Sequence, residues 1–192
     1  MSPITWSYFT TWAFFDVQFG KDNETLGSCI LDVAKELKFS LDMVKVVGLF
    51  QDSRMGLYRH CGTDGHNVLL KEIVSDEEFS CHVGSRYSGE KGQLWFVRSL
   101  PPVQDFVDYS VIFTTPYVLI GASTKEWFAY VDRTLPKIGI SEKREVLHQL
   151  MKFGLETNYW NEYVFLGYHH AQHDAIFLTG IPDIKESLPH AD

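Results

Sequence analysis

Short apolar runs alternate with glycine- and aspartate-rich segments through the middle of the chain, from about residue 55 to residue 120. The first two runs flank residues 62–65, where glycine and aspartate tolerate the positive φ angles of a tight hairpin turn. The fourth run ends at Pro101 and Pro102, which lack the backbone N–H that a strand ladder requires. This pattern predicts a central antiparallel sheet or a small β-barrel.

The beginning of the chain has the period of a helix. Aromatic side chains recur every three or four positions between Trp6 and Phe19, which fits one face of a helix. Strand alternation also fits part of residues 4–19, so both structures stay open there. A cleaner amphipathic stripe from Leu26 to Leu37 predicts a second helix.

Residues 41–50 also allow two interpretations. Their apolar spacing is roughly helical, and Ser40 is a suitable N-cap. The valines at positions 44, 46 and 47 favour a strand instead. We predict a helix here.

The periodicity becomes helical again after the β stretch. Ser123 and Glu126 have the spacing of a capping box ahead of one helix, and Ser141 can cap the next. Residues 158–170 are predicted to form a third helix. Residues 175–179 are apolar and β-prone, so they predict one late strand.

Helices and strands occur in separate runs rather than in alternation, which predicts the α+β class. The sheet or barrel would be flanked by N-terminal and C-terminal helices. We expect a single domain over residues 1–192. Its helical part would span 1–53, its β part 54–121, and a second helical part with the late strand 122–192.

Composition and charge narrow the choice of partners. Aromatic residues make up 15% of the chain, so some rings are expected to line a groove or an interface, although a phenylalanine-rich core explains them more simply. The net charge of −8 opposes a phosphate backbone, so no nucleic-acid partner is expected.

Cysteine usage and hydropathy bear on location. The three cysteines, Cys29, Cys61 and Cys81, include no CxxC pair, and no leader precedes them. We therefore expect reduced thiols and a cytoplasmic protein. No apolar run approaches the ~18 residues of a membrane span, so no membrane partner is expected.

One group of residues is a candidate for ligand binding. Arg98 lies in an apolar run with Trp95, and a buried arginine needs a carboxylate partner. An ion pair with Glu72 is the simpler interpretation, and an anion-binding arginine in a groove is the alternative. Thr115 and Tyr117 follow at the polar, aromatic end of the next run. The predicted ligand-binding residues are thus Arg98, Trp95, Thr115 and Tyr117.

A second group is a candidate metal site. If residues 158–170 form a helix that continues, His169 and His173 share a face at i,i+4 spacing, as two zinc ligands do. Asp174 would be a third ligand, and His148 from another helix a fourth. However, there is no HExxH motif. Histidines near a helix C-terminus also complement the helix dipole without a metal.

Two classes of function follow. The leading hypothesis is a cytoplasmic binding or protein-interaction protein without catalytic activity or cofactor, which binds a protein or small molecule on the central sheet. The alternative is a metal-dependent hydrolase that uses zinc at the histidine cluster. A homo-oligomer formed through the aromatic N-terminal helix is compatible with the first hypothesis.

Overall fold

The structure is a computed structural model that describes residues 3–34, 36–103, 106–120, 124–138, 143–153, 163–171 and 174–182. The helices in these ranges are α1 (Pro3–Phe15), α2 (Leu26–Val33), α3 (Leu41–Asp52), α4 (Thr124–Thr134) and α5 (Lys143–Phe153), with a 3₁₀ turn at Leu135–Ile138. The strands are β1 (Arg54–Asp64), β2 (Asn67–Glu72), β3 (Glu78–Val83), β4 (Leu94–Leu100), β5 (Ser110–Ile112), β6 (Tyr117–Ile120), β7 (Tyr163–Ala171) and β8 (Ile176–Pro182).

Of the two segments that the sequence left open between helix and strand, 41–50 is helical throughout, and 4–19 is helical as far as Phe15, after which Phe19 forms an antiparallel bridge with Glu24. α3 begins at Ser40, whose hydroxyl accepts a hydrogen bond from the backbone N–H of Met43 at 3.2 Å. This cap, together with the packing of α3 against α2 and α1, outweighs the strand preference of its valines.

Five strands close into a barrel. β1 pairs with β2 on one side and with β4 on the other, and the ring continues from β2 through β3 and β5 back to β4. The pairing of β3 with β5 is parallel, and the other pairs of the ring are antiparallel. The predicted α+β fold with a small barrel is therefore confirmed.

A three-stranded extension leaves the barrel at β4. The first half of β4 pairs with β6, which pairs in parallel with β8, and β8 pairs with β7. The predicted helix at 158–170 is wrong for residues 163–170, which lie in β7, and residues 158–162 lie outside the described residues. The long pairing with β8 stabilises the strand, and Gly167 lies at a bulge in that pairing, where a glycine is well tolerated.

The strand alternation separates two cores. Inward-facing side chains such as Tyr58, Leu70 and Trp95 fill the barrel. The opposite faces of β1 and β4 carry Leu57 and Phe96, which pack against the helices. The middle of the barrel is thus filled with packed side chains, so we expect a candidate site at its ends or on its helical cover.

Several large apolar side chains of the N-terminal helical part are exposed: Trp6, Phe14, Leu37, Leu41 and Met43. Exposed apolar patches are typical of interaction surfaces. The homo-oligomer stays a prediction. Among the helices in the described ranges, none has the length and apolar character needed to cross a bilayer.

Candidate functional site

The strand directions bring polar residues together at one end of the barrel. β1, β3 and β5 begin at this end, and β2 and β4 finish there. A cleft of about 440 Å³ opens at this position and is covered on one side by α5. We refer to it as the mouth cleft. Small-molecule sites commonly occupy the mouths of barrels.

An ion pair forms part of the cleft wall. Arg54 opens β1 and Glu72 closes β2, and both point inward because they continue the alternation of Tyr58 and Leu70. The Arg54 guanidinium lies 2.8 Å from Oε1 of Glu72, and the hydroxyl of Ser75 donates to Oε2 at 2.6 Å. Both carboxylate oxygens are therefore engaged.

The hydroxyls of two buried residues line the same cleft. Tyr58 is 6% exposed and Ser110 is 2% exposed, and both line the cleft. Neither hydroxyl has a hydrogen-bond partner among the residues that the structure describes. Burial raises the pKa of Tyr58 well above 10.0, so its phenol is protonated and can donate. Gly56 makes room for this ring, since a Cβ there would approach it to 2.5 Å.

His148 on α5 lies over the cleft. Its pKa is lowered to about 4, first by burial and then by the positive charges of Arg54 and Lys152. The imidazole is therefore neutral at pH 7 and offers one donor and one acceptor.

The charges of the cleft are unequal. Its lining contains Arg54 as the cationic side chain and three carboxylates, those of Asp52, Glu72 and Glu77. The apolar part of the lining consists of Tyr58, Phe79, Pro101, Pro102 and Leu147. This surface suits an apolar body that carries an uncharged or cationic polar group, because an anion would meet a surplus of negative charge.

Arg98 belongs to a different region. It lies on the outward face of β4, where its guanidinium binds both carboxylate oxygens of Asp16 at 2.6 and 2.9 Å. Lys152 also contacts Asp16, at 2.8 Å. The predicted pairing of Arg98 with Glu72 is wrong, because Glu72 points into the barrel and pairs with Arg54. We refer to Asp16, Arg98 and Lys152 as the buried ion cluster.

Of the other predicted ligand-binding residues, Trp95 and Tyr117 are buried and Thr115 is half-buried. Trp95 fills the barrel and donates from Nε1 to Oε1 of Gln93 at 3.0 Å. Tyr117 stacks on Tyr8 with ring centroids 4.0 Å apart, and the hydroxyl of Tyr8 donates to the carbonyl of Thr115 at 2.6 Å. The structure therefore does not bring Trp95, Arg98, Thr115 and Tyr117 into one groove.

The predicted metal ligands are only partly described. His169 lies in β7, and its side chain and all of His173 lie outside the described residues. In a strand, residues at i and i+4 do not have the helical proximity on which the zinc prediction depends. The hydroxyl of Ser85 donates to the backbone carbonyl of Asp174 at 2.6 Å, and His148 lies over the mouth cleft. Among the described residues no cluster of three or more histidine, cysteine or acidic side chains could hold a metal ion. Zinc at the predicted positions stays a prediction.

The sequence contained a signal for the mouth cleft that the strand prediction did not use. If β1 begins at residue 54, strict alternation places Arg54, Gly56 and Tyr58 on one face. The same rule continues the inward face of β2 to Glu72. Polar residues at the ends of an inward-facing row are the pattern of a lined barrel mouth.

The fold and cleft define an α+β protein with a ligand-sized cavity at the mouth of a five-stranded barrel. No family model, curated protein or solved structure matches the chain.

Proposed function

We propose that this protein binds a small organic molecule in the mouth cleft and has no catalytic activity. The observation that carries the proposal is the pair of hydroxyls on the buried residues Tyr58 and Ser110, which line one cleft without a hydrogen-bond partner in the described chain. A few polar groups in an otherwise largely apolar cleft typically fix the orientation of a bound molecule. A bound molecule with two polar atoms would satisfy both hydroxyls.

The size and lining of the cleft define the ligand class. Its volume of about 440 Å³ falls in the range of small-molecule sites. The rings of Tyr58 and Phe79 and the prolines that follow β4 offer an apolar surface. Because Arg54 is already paired and the carboxylates outnumber it, the ligand is uncharged or cationic.

The state of the titratable groups supports binding rather than catalysis. Glu72 accepts hydrogen bonds from Arg54 and Ser75, so its carboxylate holds the wall of the cleft together. Burial raises the pKa of the Cys81 thiol to about 12, which removes it as a nucleophile.

The same proposal places the protein in the cytoplasm and excludes nucleic acid as its partner. Cys29, Cys61 and Cys81 are all free thiols, which suits a reducing compartment. The net charge of −8 works against binding to phosphate backbones.

A fragment screen by ligand-observed NMR tests the proposal. Uncharged, cationic and anionic fragments are screened against the wild-type protein, and hits are titrated against two cleft variants. Ser110→Ala removes one hydroxyl and is expected to weaken hits roughly 3- to 10-fold. Ser99→Trp places a large side chain in the cleft and is expected to abolish binding.

Lys91→Trp is the matched control, because it adds the same side chain at an exposed position in the loop at the other end of the barrel. Hits should bind this variant as they bind the wild-type protein. A screen without millimolar hits would refute the proposal, and so would hits that bind equally well to Ser99→Trp.

A further inference from the structure

We propose a second site, for the oxyanion group of a small organic phosphate or carboxylate, at the opposite end of the barrel. A cavity of about 380 Å³ lies there between the β1–β2 turn, the end of β3 and the loop that follows β3. We refer to it as the basic cavity. It does not depend on the function proposed for the mouth cleft.

The charge of this cavity is opposite to that of the mouth cleft. Its lining includes His66, His82 and Arg86 together with the hydroxyl residues Thr63 and Ser88, and it contains no carboxylate. In a chain with a net charge of −8, this places the guanidinium of Arg86 beside several groups that can donate hydrogen bonds, with no carboxylate in the lining. Such groups bind phosphate and carboxylate oxygens.

Arg86 is available for a ligand. Its side chain is exposed and has no ion-pair or hydrogen-bond partner in the part of the chain that the structure describes. A guanidinium binds phosphate and carboxylate through two parallel hydrogen bonds, which an ammonium does not reproduce. Arg86 is therefore the central residue of the proposed site.

The backbone around Arg86 is fixed before any ligand binds. Arg86 has a φ of 66°, in the left-handed region that residues other than glycine rarely adopt. Its N–H donates to the carbonyl of Val83 at 2.9 Å, and the hydroxyl of Ser85 donates to the carbonyl of Asp174 at 2.6 Å. On the other side, Nε2 of His60 lies 2.8 Å from the carbonyl of Ser88. Backbone strain that neighbouring contacts maintain is characteristic of functional sites.

The cavity also offers a surface for the organic part of the ligand. The ring of Tyr87 lines it together with Val68 and Val83. This ring is held in place by Trp95, whose centroid lies 5.3 Å away, and by a hydrogen bond of 3.2 Å from its hydroxyl to Gln93. We therefore expect an anion with an apolar or ring-shaped body to bind more tightly than a bare inorganic ion.

Two carboxylates near the cavity oppose anion binding. Burial raises the pKa of Tyr87, and the negative charges of Glu90 and Asp174 contribute to this shift. Neither carboxylate lines the cavity. Glu90→Gln is therefore expected to strengthen anion binding, since it removes a nearby negative charge.

Calorimetric titration of the full chain with phenyl phosphate, benzoate and inorganic phosphate tests the proposal. Arg86→Gly removes the guanidinium and replaces it with the residue that best tolerates a positive φ, so the fold is expected to be retained or stabilised. Lys91→Gly is the matched control, because it removes one positive charge from the same loop outside the cavity. The melting temperatures of both variants are measured alongside.

We expect wild-type protein to bind phenyl phosphate or benzoate more tightly than inorganic phosphate. Arg86→Gly should weaken that binding roughly 10- to 100-fold without a lower melting temperature, and Lys91→Gly should change it less than twofold. The preference between phenyl phosphate and benzoate identifies the oxyanion. Three results would each overturn the proposal. The first is equal affinity of the two glycine variants for the anion, and the second is a lower melting temperature of Arg86→Gly with unchanged affinity. The third is no binding by the wild-type protein at millimolar concentration. Binding that Ser99→Trp abolishes would assign the anion to the mouth cleft instead, and would also overturn it.

Discussion

Replacing Asp16 with asparagine is expected to destabilise the protein by about 3–5 kcal/mol, which is the usual cost of breaking a buried ion pair by removing one partner. Asp16 is the carboxylate of the buried ion cluster. It accepts hydrogen bonds from Arg98 at 2.6 and 2.9 Å and from Lys152 at 2.8 Å.

The magnitude follows from the burial and charge of the cluster. Asp16 is 4% exposed, Arg98 1% and Lys152 3%. With Asp16 ionised, the three side chains carry a formal charge of +1, because one carboxylate faces two cations. Asparagine raises this to +2 in a region that water does not reach, and its amide N–H groups face donors rather than acceptors.

Lys152→Met is expected to lower the free energy of unfolding much less than Asp16→Asn does, although it also removes a member of the buried ion cluster. Both oxygens that Lys152 contacts, Oδ1 of Asp16 and the carbonyl of Ser53, also accept hydrogen bonds from Arg98 at 2.9 Å. Neither acceptor is left unpaired, and the formal charge of the cluster falls to zero. Because Asp16 remains paired with Arg98, no buried charge is left uncompensated, and we expect a change within about 1 kcal/mol at pH 7.

The pH dependence of the free energy of unfolding tests the role of Lys152 independently. Burial is the main cause that lowers the pKa of Lys152 from 10.5 to about 8. Between these values the unfolded chain binds more protons than the folded protein, so stability increases as the pH rises from 8 to 10.5. The full effect is roughly 3 kcal/mol, and Lys152→Met should remove it.

Urea denaturation monitored by tryptophan fluorescence measures the free energy of unfolding of the wild-type protein, Asp16→Asn and Lys152→Met. Asp22→Asn is the matched control, because it makes the same chemical change at an exposed position and should alter the free energy of unfolding by less than about 0.5 kcal/mol. If Asp16→Asn costs less than about 1 kcal/mol, or if Lys152→Met is equally destabilising, the charge argument is refuted.

Two further predictions concern the mouth cleft. Burial is the main cause that lowers the pKa of His148 from 6.5 to about 4, so the protein should lose stability as the pH falls through this interval. Acid titration of His148→Gln should show a smaller loss of stability. Equal losses in the two proteins would contradict the role assigned to His148. Gly56→Ala should destabilise the protein by about 1–3 kcal/mol, because the new Cβ meets the ring of Tyr58. A Cβ at Gly48 in α3 would meet open space, so Gly48→Ala should stabilise the protein by about 0.5–1 kcal/mol. Thermal melts measure both variants. Melting temperatures of both variants above that of the wild-type protein, or both below it, would refute the packing argument.

The sequence predicts the strands of the barrel well because their signals are local. Glycine turns, alternation and the proline stop after residue 100 all lie within a few positions of the strands that they delimit. Barrel closure is not local. It depends on pairing β1 with β4 and on the division of β4 between β5 and β6, which no short-range pattern encodes. The wrong helix prediction for residues 163–170 has the same origin, because periodicity does not encode the pairing of β7 with β8 that makes this segment a strand.

The candidate sites show the same division between local and distant information. A buried arginine at position 98 predicts a carboxylate partner, and that requirement is met. The predicted partner, Glu72, was wrong. The actual partner, Asp16, lies 82 positions away in the sequence and approaches the outward face of β4. Trp95 and Arg98 were predicted to share one ligand-binding groove. Alternation alone would have separated these two residues, because they lie on opposite faces of β4.

The two ends of the barrel are distinct chemical environments on one scaffold. β1 runs from Arg54 at the mouth cleft to the turn beside the basic cavity, and its eleven residues span roughly 30 Å. The packed layer of Tyr58, Leu70 and Trp95 fills the barrel between them. Effects of substitutions at such distances are normally additive. The ligands proposed for the carboxylate-rich cleft and for the cavity of Arg86 accordingly differ in charge, and a substitution in either cavity should leave binding at the other unchanged.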